Sequence, residues 1–243
     1  KLGSIPQTAI DMTTRRSFLV SLLATASLPR LTWADAGSPS YLAAAKEPSG
    51  QYSLVGLTAD GAEAFHVPLP ARGHAGAGHP TRPEAVAFAR RPGTFAYVLD
   101  CAFGQVSQQI DAPSGLHFSG HGTYSADGAI LFTSEIENSS GAGRIGLWDV
   151  QNSYQRLGDF ASGGIGPHEI LRLPNSDVIV VANGGIITAQ DGDRSKLNIS
   201  TMAPNLSYLS PTGDVLEQVK LPAKWHQNSI RHLAATSDGT VGF

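Results

Sequence analysis

The chain has 243 residues, with 17 Lys and Arg against 20 Asp and Glu, and a formal net charge of -3. This balance argues against non-specific nucleic-acid binding, which relies on dense basic patches. The single cysteine, Cys101, excludes an internal disulfide and any zinc site built from several cysteines. The 27 glycines and 15 prolines, with only 15% charged residues, favour short strands joined by tight turns over a helical bundle.

The N-terminal segment has the organisation of a secretory signal. Arg15 and Arg16 precede an apolar run over residues 18–28, and a small-x-small cleavage motif follows at Ala34 and Ala36. The arginine pair is typical of the bacterial twin-arginine route. The run is too short for a permanent transmembrane helix, which needs about 20 apolar residues. We expect residues 1–36 to be upstream residues plus a removable signal, and the remainder to be periplasmic without a membrane span. The alternative is a buried helix with a chance arginine pair.

Residues 37–243 repeat one pattern, in which a Glu or His opens an apolar strand that ends in a Gly, Pro or Asn turn. The repeats begin at Glu84, His121, His168 and His232, which lie 37, 47 and 64 residues apart. A propeller blade takes roughly 40–50 residues. Turns such as Asp127-Gly128 supply the positive φ angles that tight hairpins need. The pattern predicts an all-β propeller of four-stranded blades. At roughly 45 residues each, about four to five blades are present.

Seven stretches carry a family resemblance. They are Leu69–His74, Ala89–Thr94, His117–Gly122, Gly164–Glu169, Ala182–Ile186, Lys196–Asn198 and Ser229–Leu233. In these seven stretches the chain resembles the DUF1513 family of exported bacterial proteins. That family belongs to the broad group of YVTN and quinoprotein amine dehydrogenase-like propellers. Leu116 and Ala189 depart from the family pattern, standing where Arg and His are usual.

The resemblance implies a seven-bladed propeller, so that this chain would lack the C-terminal blades. The last residues, which follow directly on a hairpin turn, agree with that expectation. The resemblance also implies a link to iron-regulated export operons, and therefore a periplasmic protein partner of an iron-regulated system.

The site candidates are the residues that open the predicted innermost strands. Because those strand starts surround one mouth of a propeller's channel, we expect Glu84, His121, His168 and His232 to converge. Their neighbours in sequence are further candidates, namely His117, Glu169, Asn183 and Arg231. Imidazoles and carboxylates in a polar funnel could ligate a transition metal or bind an anion.

The candidate metal ligands are His121, His168 and His232. The alternative is that these histidines are structural and bond to a neighbouring blade. His74 and His79 fall in the Gly-rich segment 72–80, which we interpret as a loop, either a mobile metal clip or simply exposed.

The signal, the predicted ring of histidines and the family resemblance together suggest three functions. The leading hypothesis is a periplasmic binding or scaffold module in iron or other metal uptake, for which a transition metal is the candidate cofactor. The second is a metal- or quinone-dependent oxidoreductase, or a lyase, in which His168 or His232 is ligand or base and Glu169 and Arg231 orient the substrate. The third is a purely structural histidine ring. The sequence holds no G-x-S-x-G, P-loop or H-E-x-x-H motif, so it assigns no catalytic residue.

Overall fold

The structure is a computed structural model that describes residues 31–90, 93–189 and 195–243. These residues form 17 strands and three short 3-10 helices, at Trp33–Ala36, Ile199–Thr201 and Ala223–Trp225. The strands are β1 Tyr41–Lys46, β2 Tyr52–Leu57, β3 Glu63–Leu69, β4 Gly73–Gly78, β5 Glu84–Ala89, β6 Phe95–Asp100, β7 Gln105–Asp111, β8 Leu116–Tyr124, β9 Ile130–Glu137, β10 Ala142–Asp149, β11 Gln155–Ile165, β12 Pro167–Arg172, β13 Ile179–Asn183, β14 Asn205–Leu209, β15 Val215–Lys220, β16 Ala234–Ala235 and β17 Val241–Gly242. Within the described part of the chain, no helix is long and apolar enough to cross a membrane.

Successive strands pair in antiparallel sheets that follow the order of the chain. Strands β4–β7, β8–β11 and β12–β15 form three four-stranded blades, while β1–β3 form a three-stranded sheet and β16–β17 a two-stranded one. The innermost strands β1, β4, β8 and β12 contact one another in succession. The predicted β-propeller of four-stranded blades is therefore confirmed. The seven-bladed ring stays an expectation.

Asp-Gly pairs close the hairpin turns as their sequence predicts. In one turn the Ser125 hydroxyl donates to the Asp127 carboxylate at 2.6 Å, and Gly128 has a φ of 74°. Gly61 and Gly239 take the same place in two further turns, with φ of 85° and 87°. Because glycine has no Cβ, it adopts these angles without steric cost. The repeated turn fixes where β3, β9 and β17 begin.

Apolar side chains fill the space between adjacent blades. Phe88 of β5 packs edge-on against Phe118 of β8, with ring centroids 5.7 Å apart. Ile145 of β10 and Ile179 of β13 lie together in the next cluster along the chain. Strands buried on both faces read as continuous apolar runs rather than as alternating patterns. This explains why β13, which is buried throughout, shows no polar alternation.

The segment just before residue 37 packs on the propeller. Residues 32–243 form one compact unit. Trp33 Nε1 donates to the carbonyl oxygen of His79 at 2.7 Å, and Ala36 is buried in the first blade's core. The expected cleavage motif at Ala34 and Ala36 therefore lies in a segment that packs on the propeller. Arg15, Arg16 and the apolar run lie outside the described residues.

An ion pair is buried inside the third blade. Glu135 of β9 is fully buried and accepts two hydrogen bonds from the Arg156 guanidinium, at 2.8 and 2.9 Å. The Thr133 hydroxyl donates to the same carboxylate at 2.7 Å, and Arg156 stacks over the Trp148 ring. The carboxylate is therefore compensated by both charge and hydrogen bonds.

We expect Arg156→Ala to lower the free energy of unfolding by about 3–5 kcal/mol, because it leaves a buried carboxylate unpaired. Urea unfolding followed by tryptophan fluorescence measures the change. Arg144 pairs with Asp159 at the surface, so Arg144→Ala is the matched control and should cost less than about 1 kcal/mol. Equal losses in the two variants would contradict this account.

Candidate metal centre

Four histidines from consecutive repeats meet in one cluster, which we call the histidine cluster. His74 lies on β4, His121 on β8, His168 on β12, and His232 in the segment before β16. Ring centroids are 4.7 Å apart for His121 and His168, 5.0 Å for His168 and His232, and 5.1 Å for His74 and His121. The structure thus brings together the three histidines expected as ligands and adds His74.

Three of these histidines lie at irregularities in their strands. His74 falls in the register shift between Gly73 and Gly76, and His121 falls in the shift between Phe118 and Gly122. His168 falls in the register shift of β12 between Pro167 and Ile170. A bulge turns side chains away from the regular alternation of a strand, and bulges are frequent beside active sites. The same local distortion therefore directs three imidazoles to one place.

The main chain on either side of the cluster is held by a buried serine. The Ser134 hydroxyl of β9 lies 3.0 Å from the carbonyl oxygen of His121 and 2.9 Å from that of His168. Ser134 is itself fully buried. This contact ties the third blade to the fourth at the two bulges, which fixes the separation of the two rings.

His74 occupies space that a glycine leaves open. A Cβ atom built on Gly120 would lie 2.2 Å from His74 Cδ2. Gly120 also has a φ of 105°, which side chains other than glycine rarely adopt. The approach of β4 to β8 at this point therefore requires glycine.

The His74, His121 and His168 rings are poor bases and stay neutral. Burial, followed by the neighbouring His168, lowers the pKa of His121 to about 3. Burial, followed by the charge of Arg231, lowers the pKa of His168 to about 4. Burial and then Arg90 lower the pKa of His74 as well. A neutral imidazole has a free lone pair, which is the form that binds a metal.

The ring nitrogens are close together and partly unsatisfied. One nitrogen from each of His74, His121 and His168 lies within 4.8 Å of the others. Among the residues described, His121 Nε2 and His168 Nδ1 are buried without a hydrogen-bond partner. Buried polar atoms are nearly always paired, so two unpaired nitrogens in one cluster point to a ligand.

Glu169 positions the fourth histidine. Its carboxylate accepts a hydrogen bond from the backbone N–H of Leu233 at 2.8 Å and lies 3.2 Å from His232 Nδ1. The His232 side chain is otherwise largely exposed. A carboxylate that holds one ring nitrogen leaves the other to face a metal, as in many carboxylate–histidine–metal arrangements.

Glu84 does not belong to the cluster, contrary to its expected place at the start of an innermost strand. It opens β5, the second strand of its blade, because β4 precedes it as the innermost strand. Its carboxylate accepts hydrogen bonds from Arg82 and from the Tyr154 hydroxyl. Tyr154 also bonds Tyr124, so Glu84 connects the second blade to the third.

Three other polar residues are engaged elsewhere. His117 Nδ1 lies 2.6 Å from Asn138 Oδ1. Asn183 is fully buried and donates to Ser162 O and Asn205 Oδ1, both at 3.0 Å. His79 is buried, not in an exposed loop, and its Nδ1 accepts from two backbone N–H groups. These contacts give His79 and Asn183 an architectural role.

The interpretation of residues 72–80 as a loop is wrong, because Gly73–Gly78 form β4. The signal that identifies His74 is its spacing, since His74, His121 and His168 lie 47 residues apart. Counting the first repeat from Glu84 gives 37 residues and hides that regularity.

A cavity adjoins the histidine cluster. It has a volume of about 420 Å³ and includes His74 and His168 in its wall. Three basic side chains line it, from Arg90, Lys196 and Arg231. Apolar side chains complete the wall, among them Phe118, Ile136, Ile187 and Leu197. Of these three basic residues, only Arg231 is among the expected site residues.

A β-propeller with a cluster of histidines at its innermost strands is the class that the fold and the site define. The chain belongs to the family described as "Protein of unknown function (DUF1513)", whose model matches residues 67–243. No curated protein is significantly similar to the chain in sequence.

One solved structure shares the fold, and a second is similar to a lesser degree. Hydrazine synthase from Kuenenia stuttgartiensis superposes with a TM-score of 0.54 at 17% identity, over 78% of this chain and 47% of that chain. A protein of unknown function from Bacteroides caccae gives a TM-score of 0.49 at 13% identity, over 82% of this chain and 63% of that chain. The chain thus spans about half the length of the hydrazine synthase chain. At these identities the likeness concerns the fold alone.

We expect the metal-free protein to lose stability as the pH falls from about 6.5 towards 4. In the unfolded chain histidine takes up a proton near pH 6.5, whereas His121 and His168 stay neutral in the folded chain until about pH 3 and 4. The unfolded state therefore binds more protons in this window. Each such histidine contributes a slope of about 1.4 kcal/mol per pH unit.

His121→Asn should flatten this slope relative to the parent protein, in urea unfolding at pH 7, 6 and 5. His66, which is exposed on β3, provides the control variant His66→Asn. An unchanged slope in His121→Asn would show that His121 is not held neutral by the fold.

Proposed function

We propose that the histidine cluster binds one transition-metal ion, and that the protein is an exported metal-binding module in the uptake of iron or another metal. The observation that carries the proposal is the convergence of His74, His121 and His168. Their ring nitrogens lie within 4.8 Å of one another, and two nitrogens of the cluster are buried without partners.

The geometry suits an ion bound by imidazole. Nitrogen ligands lie at about 2.0–2.1 Å from zinc, so small rotations of the three rings would bring their nitrogens into range. Imidazole is a good ligand for iron, copper, zinc and nickel. His232, oriented by Glu169 at 3.2 Å, is placed to provide a fourth nitrogen.

The export and uptake parts of the proposal rest on other observations. The Arg15-Arg16 pair and the apolar run after it support export through the twin-arginine route. The family resemblance supports a place beside an iron-regulated system and a periplasmic protein partner there. Cell fractionation tests the localisation. It compares the fraction that contains the parent protein with the fraction that contains an Arg15→Lys, Arg16→Lys variant.

Purified without chelator and dialysed against Fe²⁺, Cu²⁺ or Zn²⁺ in turn, the protein should retain one metal ion per chain. His121→Ala and His168→Ala should each abolish retention at equimolar metal, while the control His66→Ala should not. Elemental analysis of the dialysed protein measures the stoichiometry. Folded His variants that still hold one ion, or a parent that holds none, would leave the cluster with a purely structural role.

Glu169→Gln should keep the stoichiometry but weaken metal affinity by roughly 10–100-fold, the usual effect of losing a carboxylate that orients a histidine ligand. Competition with a chromophoric chelator measures the affinity. Glu217 on β15 is exposed, so Glu217→Gln is the matched control. Equal affinities in the two variants would remove Glu169 from the site.

A metal-dependent oxidoreductase is the second candidate. The adjoining cavity favours it, because His74 and His168 belong to both the cluster and the cavity wall. A ligand in the cavity would thus lie beside a bound ion, which would act on it as a Lewis acid or a redox centre. Reduction of a redox dye by the metal-loaded protein, lost in folded His168→Ala, would support it. The absence of turnover with a panel of dyes, together with stoichiometric metal binding, would favour the binding module.

A further inference from the structure

We infer that the cavity beside the histidine cluster binds an organic carboxylate, whose charged group also reaches the metal ion. The part concerning the metal rests on the proposed function, whereas the part concerning the anion stands on the cavity alone.

Three cationic side chains converge on the cavity from separate parts of the chain. Arg90 follows β5, Lys196 lies between β13 and β14, and Arg231 precedes β16. None of the three is in an ion pair with another described residue, unlike Arg82, Arg144 and Arg156, each of which has a carboxylate partner. Of the described residues that line the cavity, none is an Asp or Glu.

This charge is unusual for the molecule. The chain as a whole is acidic, with a net charge of -3, yet the described residues of this concave surface include three cationic side chains and no carboxylate. Arg90 and Arg231 are near enough to contribute to the low pKa of His74. Arginine favours carboxylate and phosphate groups, because its planar guanidinium donates two parallel hydrogen bonds. The cavity is therefore complementary to an anion.

The remaining wall selects an organic anion over an inorganic one. Phe118, Ile136, Ile187 and Leu197 present apolar surface to the same space. At about 420 Å³ the cavity has the size of a small-molecule site. Such sites usually combine an apolar wall with a few placed polar groups. A carboxylate with a hydrocarbon body would satisfy both parts, whereas phosphate would leave the apolar wall without a partner.

The position of the cluster gives the anion a second contact. His74 and His168 line the cavity as well as the candidate metal site. A carboxylate held by Arg231, which adjoins His232 in sequence, would lie next to an ion bound by these rings. Metal and carboxylate should consequently bind with positive coupling, each raising the affinity for the other.

Isothermal titration of benzoate and of citrate into the metal-free and the Zn²⁺-loaded protein tests the inference. At least one of the two carboxylates should bind one per chain at low ionic strength, and more tightly when zinc is present. Benzamide, the uncharged analogue of benzoate, and inorganic phosphate should bind at least tenfold more weakly.

Arg90→Gln and Arg231→Gln should each weaken carboxylate binding about tenfold or more, since a hydrogen bond to a charged group is lost. Lys220 lies on the exposed strand β15, and Lys220→Gln should leave binding unchanged. Circular dichroism checks that the variants are folded.

The possible failures are distinct. If zinc binds stoichiometrically but neither carboxylate binds in either form, the inference is overturned and the proposed function stands. If a carboxylate binds the metal-free protein while no metal binds at all, the anion site stands and both the metal function and the coupling fall. If phosphate binds as tightly as the carboxylates, the assignment of an organic ligand is wrong.

Discussion

The bulges in the innermost strands β4, β8 and β12 are the constraint on which the site depends. A regular strand alternates its side chains between two faces, and both faces of a propeller blade pack against neighbouring blades. A histidine in regular alternation would therefore be buried between blades and bonded there. The shifts of register around His74, His121 and His168 release these side chains from that packing. Because the blades repeat, one local distortion used three times produces one shared cluster.

The polar groups of the protein divide into two kinds according to whether their hydrogen bonds are complete. Glu135, Asn183 and Glu84 each accept or donate hydrogen bonds within or between blades, as expected of polar groups that stabilise a fold. The cluster is different, because His121 and His168 each keep a buried nitrogen unpaired. The basic residues of the cavity likewise lack carboxylate partners among the described residues. Among the described residues, five buried polar atoms lack a partner: two belong to the cluster, a third to Ser229 in the cavity wall, and the other two to Ser53 and Arg82 elsewhere. The concentration of three of them around one cavity favours a binding site there.

Glu84 and His74 show which site residues the sequence pattern predicts and which it does not. Both residues belong to the second blade, and both lie close to a Gly or Pro turn. Glu84 opens an apolar strand of the expected kind, so the sequence pattern predicts it as the first member of the histidine and glutamate ring. His74 lies in the sequence Gly-His-Ala-Gly-Ala-Gly, whose low β-propensity favours a loop. Pairing with β5 and packing against β8 override that propensity, and glycines are what allow the close approach.

Periodicity and turn chemistry are local, so they are enough to predict the all-β class, the propeller repeat, the turn positions and three of the four histidines. The folded arrangement of the blades establishes that β4 is the innermost strand of its blade, that His74 joins the cluster, and that Glu84 instead bonds Tyr154. It also brought Arg90, Lys196 and Arg231 to one cavity. Side chains from separate blades converge only when the bulged strands have the right orientation and packing. No single stretch of sequence contains that information.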